Sequence, residues 1–229
     1  MSNKYGIGYD IIGDIHGYAS ELKALLNLLG YEEREGCYRH PERRVIFLGD
    51  FIDRGPEIRE TLRIVRAMVE RGHAMAVMGN HEYNALCYHT PDGKGGYLRP
   101  HIDKNTNQHQ ATLDQIAVPF PDEWADHLDW FQSLPLYLEL DGLRVVHACW
   151  DDMEISALNG CARLTDNLLF KSAHRATAEF RAVDVLLKGK EVCLPEGSFF
   201  TDKEGVARGI MGHAMVPMGA VQKPAPADC

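Results

Sequence analysis

Gly13-Asp14-Ile15-His16-Gly17, Gly49-Asp50-Phe51-Ile52-Asp53-Arg54-Gly55 and Gly79-Asn80-His81-Glu82 decide how this chain folds. Each follows an apolar run, at residues 9–12, 45–48 and 74–78, of a length and composition expected for strands buried on both faces of a sheet. Helical patterns lie between the runs. Ser20 can cap a helix whose Leu22, Leu25, Leu26 and Leu29 share a face, with Gly30 as its stop. Pro56 suits a first helical position, Ile58, Leu62, Val65 and Val69 make a buried stripe, and Gly72 ends it. Strand, helix, strand, helix, strand predicts a parallel sheet. Open parallel sheets bind ligands beyond the carboxyl ends of their strands, where the three motifs fall.

Asp, His and Asn offer oxygen and imidazole donors without thiolate, a mixture suited to divalent Mn, Fe, Zn or Ni rather than to a structural zinc knot. A carboxylate at Asp50 can bridge two cations, and the flanking glycines let the backbone turn sharply and admit metal and phosphate. Taken singly, an Asp after a strand is ordinarily a turn or cap residue, His81 a satisfied polar side chain and Arg54 a solvated charge. Three such sites in register outweigh those readings.

In this order the motifs resemble those of the calcineurin-like metallophosphoesterase superfamily. The Asp-Arg-Gly ending of the second is similar to its phosphoprotein-phosphatase branch, which includes bacterial Ser/Thr phosphatases and symmetrical diadenosine tetraphosphatases. The resemblance covers residues 9–148. It implies an α/β fold, a four-layer α/β/β/α metallophosphoesterase sandwich of two mixed sheets flanked by helices. It also implies two divalent metal ions, with Mn ahead of Fe, Zn and Ni. Carried over, Asp14 and His16 hold one metal, Asp50 bridges, and Asn80 with two later histidines holds the other. His81 becomes the general acid, Asp53 its orienting carboxylate, and Arg54 the grip on phosphate, aided by Asn80 and His81.

Further on, residues 136–140 and 143–146 alternate around Asp141-Gly142, a hairpin signal, and the second strand ends at His147-Ala148-Cys149. The resemblance makes His147 a ligand of the second metal; the ordinary alternative is a strand-end histidine bonded to backbone. Gly212-His213-Ala214 resembles the motif that supplies the last ligand, here His213. Two departures leave coincidence open beside that reading. Family members continue into a further strand, whereas residues 221–229 are Pro-rich and without period. Leu194-Pro195-Glu196-Gly197 is similar to a stretch that some bacterial relatives carry well before their final Gly-His. The expectation is one domain over residues 1–216, incomplete at its C-terminal end, and a disordered tail over 217–229.

The 229 residues and 45% hydrophobic content suffice for one domain with a real core. A net charge of −9 argues against a nucleic-acid backbone as partner. The scattered Cys37, Cys87, Cys149, Cys161, Cys193 and Cys229 read as reduced thiols of a cytoplasmic protein, and neither a secretory leader nor a membrane-spanning run is expected. Residues 88–97 and 103–110 read as a mobile surface loop, with His89, His101 and His109 as surface histidines. Residues 122–131 read as a short helix burying Trp124, Leu128 and Phe131. Helices are expected over 164–187, and Arg163, Arg175 and Arg181 are candidates for a second phosphate-binding arginine.

The expected function is a dinuclear-metal-dependent phosphoesterase hydrolysing phosphate monoesters by in-line attack of metal-bound hydroxide, with a protein Ser/Thr phosphatase first. A symmetrical bis(5'-nucleosyl)-tetraphosphatase keeps the chemistry and changes the substrate. A catalytically impaired binding protein of the same fold is the third reading. The expected partner is thus a phosphorylated protein or a small phosphoester or nucleotide, with no membrane; an open sheet edge would favour dimers.

Overall fold

The computed structural model describes residues 8–193, 200–201, 207–208 and 210–212. The chain opens with β1 (Gly8–Ile12), α1 (Ala19–Leu28), β2 (Glu32–Arg34), β3 (Cys37–Arg39), β4 (Arg43–Phe47), α2 (Ile58–Glu70) and β5 (Ala74–Ala76). β1, β4 and β5 pair in parallel with β4 in the middle, and Ile12, Phe47 and Ala76 stand in one row. That register makes the three motifs leave the sheet side by side.

Successive side chains of β4 point to opposite faces, so one strand feeds two cores. Val45 and Phe47 pack with Leu22 and Leu26 of α1 and with Ile58, Leu62, Val65 and Met68 of α2. Ile46 faces the other way. Beyond β5 come α3 (Asn80–His89), α4 (Asp103–Thr112), a π-helical turn (Leu113–Ala117), α5 (Pro121–Ser133), and a hairpin of β6 (Tyr137–Leu140) and β7 (Leu143–Val146). Val145 of β7 lies with Ile46 and Val77, flanked by Met75, Leu138 and Leu143. Helices, parallel sheet and antiparallel hairpin thus stack in layers. α6 (Asp152–Ala157), α7 (Asp166–Ser172) and α8 (Ala178–Lys188) follow. Ala148 N–H donates to Leu186 O at 3.0 Å, fastening the end of the hairpin to α8. β8 (Glu191–Cys193) pairs antiparallel with β11 (Ile210–Gly212), and β9 (Phe200–Thr201) with β10 (Ala207–Arg208). His213 and the Pro-rich tail lie outside the described residues.

Several local expectations change. β1 is buried on one face only: Tyr9 and Ile11, which share the other face, are 40% and 54% exposed. Ser20 does not cap α1. It sits in the first turn, where its N–H and Oγ both donate to Glu57, at 2.8 and 2.7 Å, so a residue at the start of α2 caps α1 across space. α2 begins at Ile58, two residues after Pro56, with Glu57 at the cap position. The β2–β3 hairpin turns through Glu35 and Gly36, both with positive φ, and carried no alternating apolar pattern to betray it.

The largest difference lies at residues 103–110, which form α4 rather than a loop. The helix has no apolar stripe because its inward face carries polar side chains to the motif loops. α5 buries Trp124 and Phe131, as its pattern predicts. Cys37, Cys87, Cys149 and Cys161 are free thiols, and among the described residues no helix is long and apolar enough to cross a membrane.

Candidate active site

The motif loops approach one another more closely than any side chain would allow. A Cβ on Gly79 would overlap the backbone N and Oδ1 of Asp50, and one on Gly49 would overlap Gly79. A Cβ on Gly55 would overlap the carbonyl of His16. These glycines therefore admit neighbouring backbone. His16 N donates to Asp50 O and Gly17 N to Phe51 O, both at 2.8 Å, binding the first loop to the second. The Glu82 carboxylate, fully buried, binds the second to the third. It accepts from the amides of Asp50 and Phe51 at 2.8 Å each and of Gly79 at 3.0 Å. Burial, with the Asp50 charge beside it, pushes the Glu82 carboxyl up to about 7, while the amides favour the ionised form.

Asp14, His16, Asp50, Asp53 and Arg54 all have positive φ, between 47° and 69°. Outside glycine that conformation costs about 1–3 kcal/mol per residue and is held only where surroundings over-determine it. Here the inter-loop hydrogen bonds do so, and the strain aims successive side chains into one space.

Two groups of donors result, with Asp50 common to both: Asp14, Asp50 and His147 in one, His16, Asp50 and His81 in the other, ligand atoms within 4.8 Å of one another in each. His16 Nδ1 donates to Ile52 O at 2.9 Å and His147 Nδ1 to Leu48 O at 2.5 Å. Both tautomers are thereby fixed with the Nε2 lone pair facing Asp50 Oδ2, at 3.5 and 3.6 Å. His147 Nε2 also faces Asn80 Oδ1, as the amide is assigned, at 3.1 Å. Lone pairs directed at oxygens repel unless a cation lies between them. The donor set therefore fits divalent cations sharing Asp50. Asp14 and His16 each share a donor group with Asp50, the carboxylate expected to bridge. His213 is outside the described residues.

His81 Nδ1 donates to Asp53 Oδ2 at 2.5 Å, so its one free ring nitrogen, Nε2, faces Asp50 at 4.0 Å. Burial alone would lower the His81 pKa; the hydrogen bond to Asp53 and the Asp50 charge outweigh it, and the net direction is up. The other Asp53 oxygen was not accounted for by the sequence. It accepts from His109 Nδ1 at 2.8 Å and from Thr112 Oγ1 at 2.6 Å. His109 is 5% exposed, a correction to its reading as a surface histidine. Its Nε2 lies 3.3 Å from His89 Nε2, and burial followed by the His109 and His101 charges holds His89 down at about 4. His101 is exposed and stacks on Tyr88 and Tyr97. None of the three joins the donor groups. Burial would raise the Asp53 carboxyl, yet His109 and His81 together hold it below the usual carboxylate range. The signal for His109 was its i,i+3 spacing from Thr112 on a helix without an apolar face.

Arg54 stands exposed at the rim of a groove of about 940 Å³ that begins at Asn80 and His81 and runs past Arg99, Lys104, Arg175 and Lys188. Of the arginines proposed from sequence, Arg175 reaches this groove. Arg163 donates to Ser133 O and Arg181 pairs with Glu154, at 2.8 and 2.9 Å.

The sequence model of the calcineurin-like phosphoesterases matches residues 9–214. The chain belongs to that family. A bis(5'-nucleosyl)-tetraphosphatase PrpE [asymmetrical] from Halalkalibacterium halodurans is 49% identical over 143 residues, which are 61% of this chain and 56% of that protein. A symmetrical bis(5'-nucleosyl)-tetraphosphatase from Janthinobacterium sp. is 32% identical over 137 residues, 60% of this chain and 42% of that one. The chain spans about half the length of the curated relatives it matches. Among solved structures, the cold-active protein-tyrosine phosphatase of a psychrophile Shewanella sp. has a TM-score of 0.48 at 19% identity, covering 80% of this chain and 56% of that one.

Gly79→Ala should lower stability by about 1–3 kcal/mol through backbone overlap at Asp50, measured by urea unfolding. Gly8→Ala, whose methyl would meet Arg43 Cγ at an ordinary 3.6 Å, is the control. Equal midpoints for the two variants would refute the close-approach account of this site.

Proposed function

We propose that the chain is a metal-dependent hydrolase of nucleotide phosphoanhydrides, a bis(5'-nucleosyl)-tetraphosphatase that cuts asymmetrically, in preference to a phosphatase of phosphoproteins. The groove carries this reading. Beyond Arg54, whose fork can grip one phosphoryl group, Arg99, Lys104 and Arg175 continue the cationic wall in the way a chain of phosphates favours, while Lys188 is paired with Asp184 at 2.5 Å. The names of the relatives support the same substrate class, and the 49%-identical one supports the asymmetrical cut. A cytoplasmic place of action goes with that substrate.

Asp14, His16, Asp50, Asn80 and His147 would hold two divalent cations, Mn in our reading, which supply Lewis acidity toward phosphoryl oxygens and lower the pKa of water. Arg54 presents a planar fork to the phosphoryl oxygens. His81 delivers a proton from Nε2 to the departing oxygen, since Nδ1 is committed to Asp53. Asp53 holds the ring and stabilises its charged form. His109 and Thr112 fix Asp53 in turn, which makes His109 a positioning residue two hydrogen bonds away from the His81 ring.

With Mn added, the full chain should turn over diadenosine tetraphosphate with kcat/KM at least 100-fold above a phosphoserine peptide, giving ATP and AMP in equal amounts by chromatography; a chelator should abolish turnover. ADP as sole product would make the cut symmetrical, and a preference for the peptide would reject the nucleotide reading. Arg99→Gln with Lys104→Gln should raise KM for the dinucleotide roughly tenfold, the scale of one charged contact, and leave nitrophenyl phosphate nearly unchanged. An equal change on both substrates would remove the groove from substrate binding. His109→Ala should lower kcat on an alkyl phosphate roughly tenfold or more at constant KM and lower it less on nitrophenyl phosphate, whose leaving group needs little protonation. His109→Asn, which keeps a donor for Asp53, should recover most of the loss; equal losses on both substrates, or no recovery, would contradict the positioning role.

A further inference from the structure

At the amino-terminal end of the sheet, roughly 17 Å of strand away from the motifs, the starts of β4 and β5 and the ends of α1 and α2 enclose a second cavity of about 700 Å³. Arg34, Arg39, Arg43, Arg44 and Arg71 line it, with Glu32 as the one carboxylate on its wall. Two of the cations are spoken for: Arg43 by the buried Asp10, and Arg34 by Glu32 at 2.6 Å. Arg71 donates to the carbonyl of Glu35 at 2.7 Å, which engages its fork without cancelling its charge. Arg39 has a buried Nε with no hydrogen-bond partner, and Arg44 has no ion pair among the described residues. His73, beside them, is held below its usual pKa by burial first and then by the charges of Arg39, Arg44 and Arg71.

The ordinary account of cations here is that they neutralise the carboxyl ends of α1 and α2. Each helix end carries about half a negative charge, so two ends offset roughly one of the three uncompensated guanidiniums. An excess of about two positive charges remains in a concave space, in a chain whose net charge is −9. Cavities of this size suit small ligands, and guanidinium forks match oxyanions two oxygens at a time.

We propose that this cavity is a second phosphate-oxyanion site, separate from the reaction site, and that its ligand is a small free oligophosphate recognised by Arg39, Arg44 and Arg71. The proposal does not depend on which ester or anhydride the first site cleaves.

Tripolyphosphate titrated calorimetrically into the full chain in metal-free buffer is the direct probe. Arg54→Gln with Arg99→Gln should keep a binding event that Arg39→Gln with Arg44→Gln loses or weakens at least tenfold. Identical titrations for wild type and the Arg39/Arg44 variant would overturn the proposal, as would loss of all binding in the Arg54/Arg99 variant. A second measurement uses unmutated protein and so survives any folding defect: phenylglyoxal modification followed by mass spectrometry. Tripolyphosphate should slow modification of Arg39 and Arg44 at least tenfold, and equal rates with and without it would overturn the proposal.

Discussion

The Glu82 carboxylate accepts from the amides of Asp50, Phe51 and Gly79, and the rest of the site rests on that clamp. Three donors on one buried acid fix the second and third motif loops against each other at backbone level, before any ligand is considered. The positive φ angles at Asp50, Asp53 and Arg54 are tolerable because the clamp leaves no relaxed alternative. Asp50 is tied down further by its Oδ1, which accepts from His81 N–H at 3.0 Å. One carboxylate thus holds the start of α3 and presents its other oxygen to the histidines. Preorganisation of this kind removes a reorganisation cost at the moment of reaction.

The N-terminal half of the fold was legible because strand, helix and glycine signals there are local. The apolar runs gave the parallel sheet, and the Asp141-Gly142 turn gave the hairpin, to within a residue or two. What escaped was non-local. No sequence pattern says that Glu57 caps α1 or that His109 meets Asp53, because each depends on packing between segments far apart in the chain. α4 was missed for a related reason: a helix that spends its inward face on polar contacts lacks the periodicity by which helices are read.

The candidate site was legible in its membership. Asp14, His16, Asp50, Asn80, His81 and His147 converge around Asp50. The resemblance assigns Asp14 and His16 to one metal, and in the structure each of them has a ligand atom within 4.8 Å of one on Asp50. The role of Glu82 as a backbone clamp is not legible in the sequence, since nothing in its neighbours indicates what it will accept from. Arg175 was one of three arginines that sequence could not rank; the helix it precedes brings it to the groove, while Arg163 and Arg181 are used elsewhere.

His147 is the one donor that comes from the hairpin, and its Nδ1 is bonded to Leu48 O at the end of β4. Because strand side chains alternate, a slip of one residue in β7 would turn Val145 out from between Ile46 and Val77 and, by the same half-turn, take His147 away from Asp50. Apolar packing and donor placement are thus two readings of a single register. A misaligned hairpin fails the core test as soon as it fails the ligand test, so oily contacts far from the chemistry proofread the geometry of a polar site.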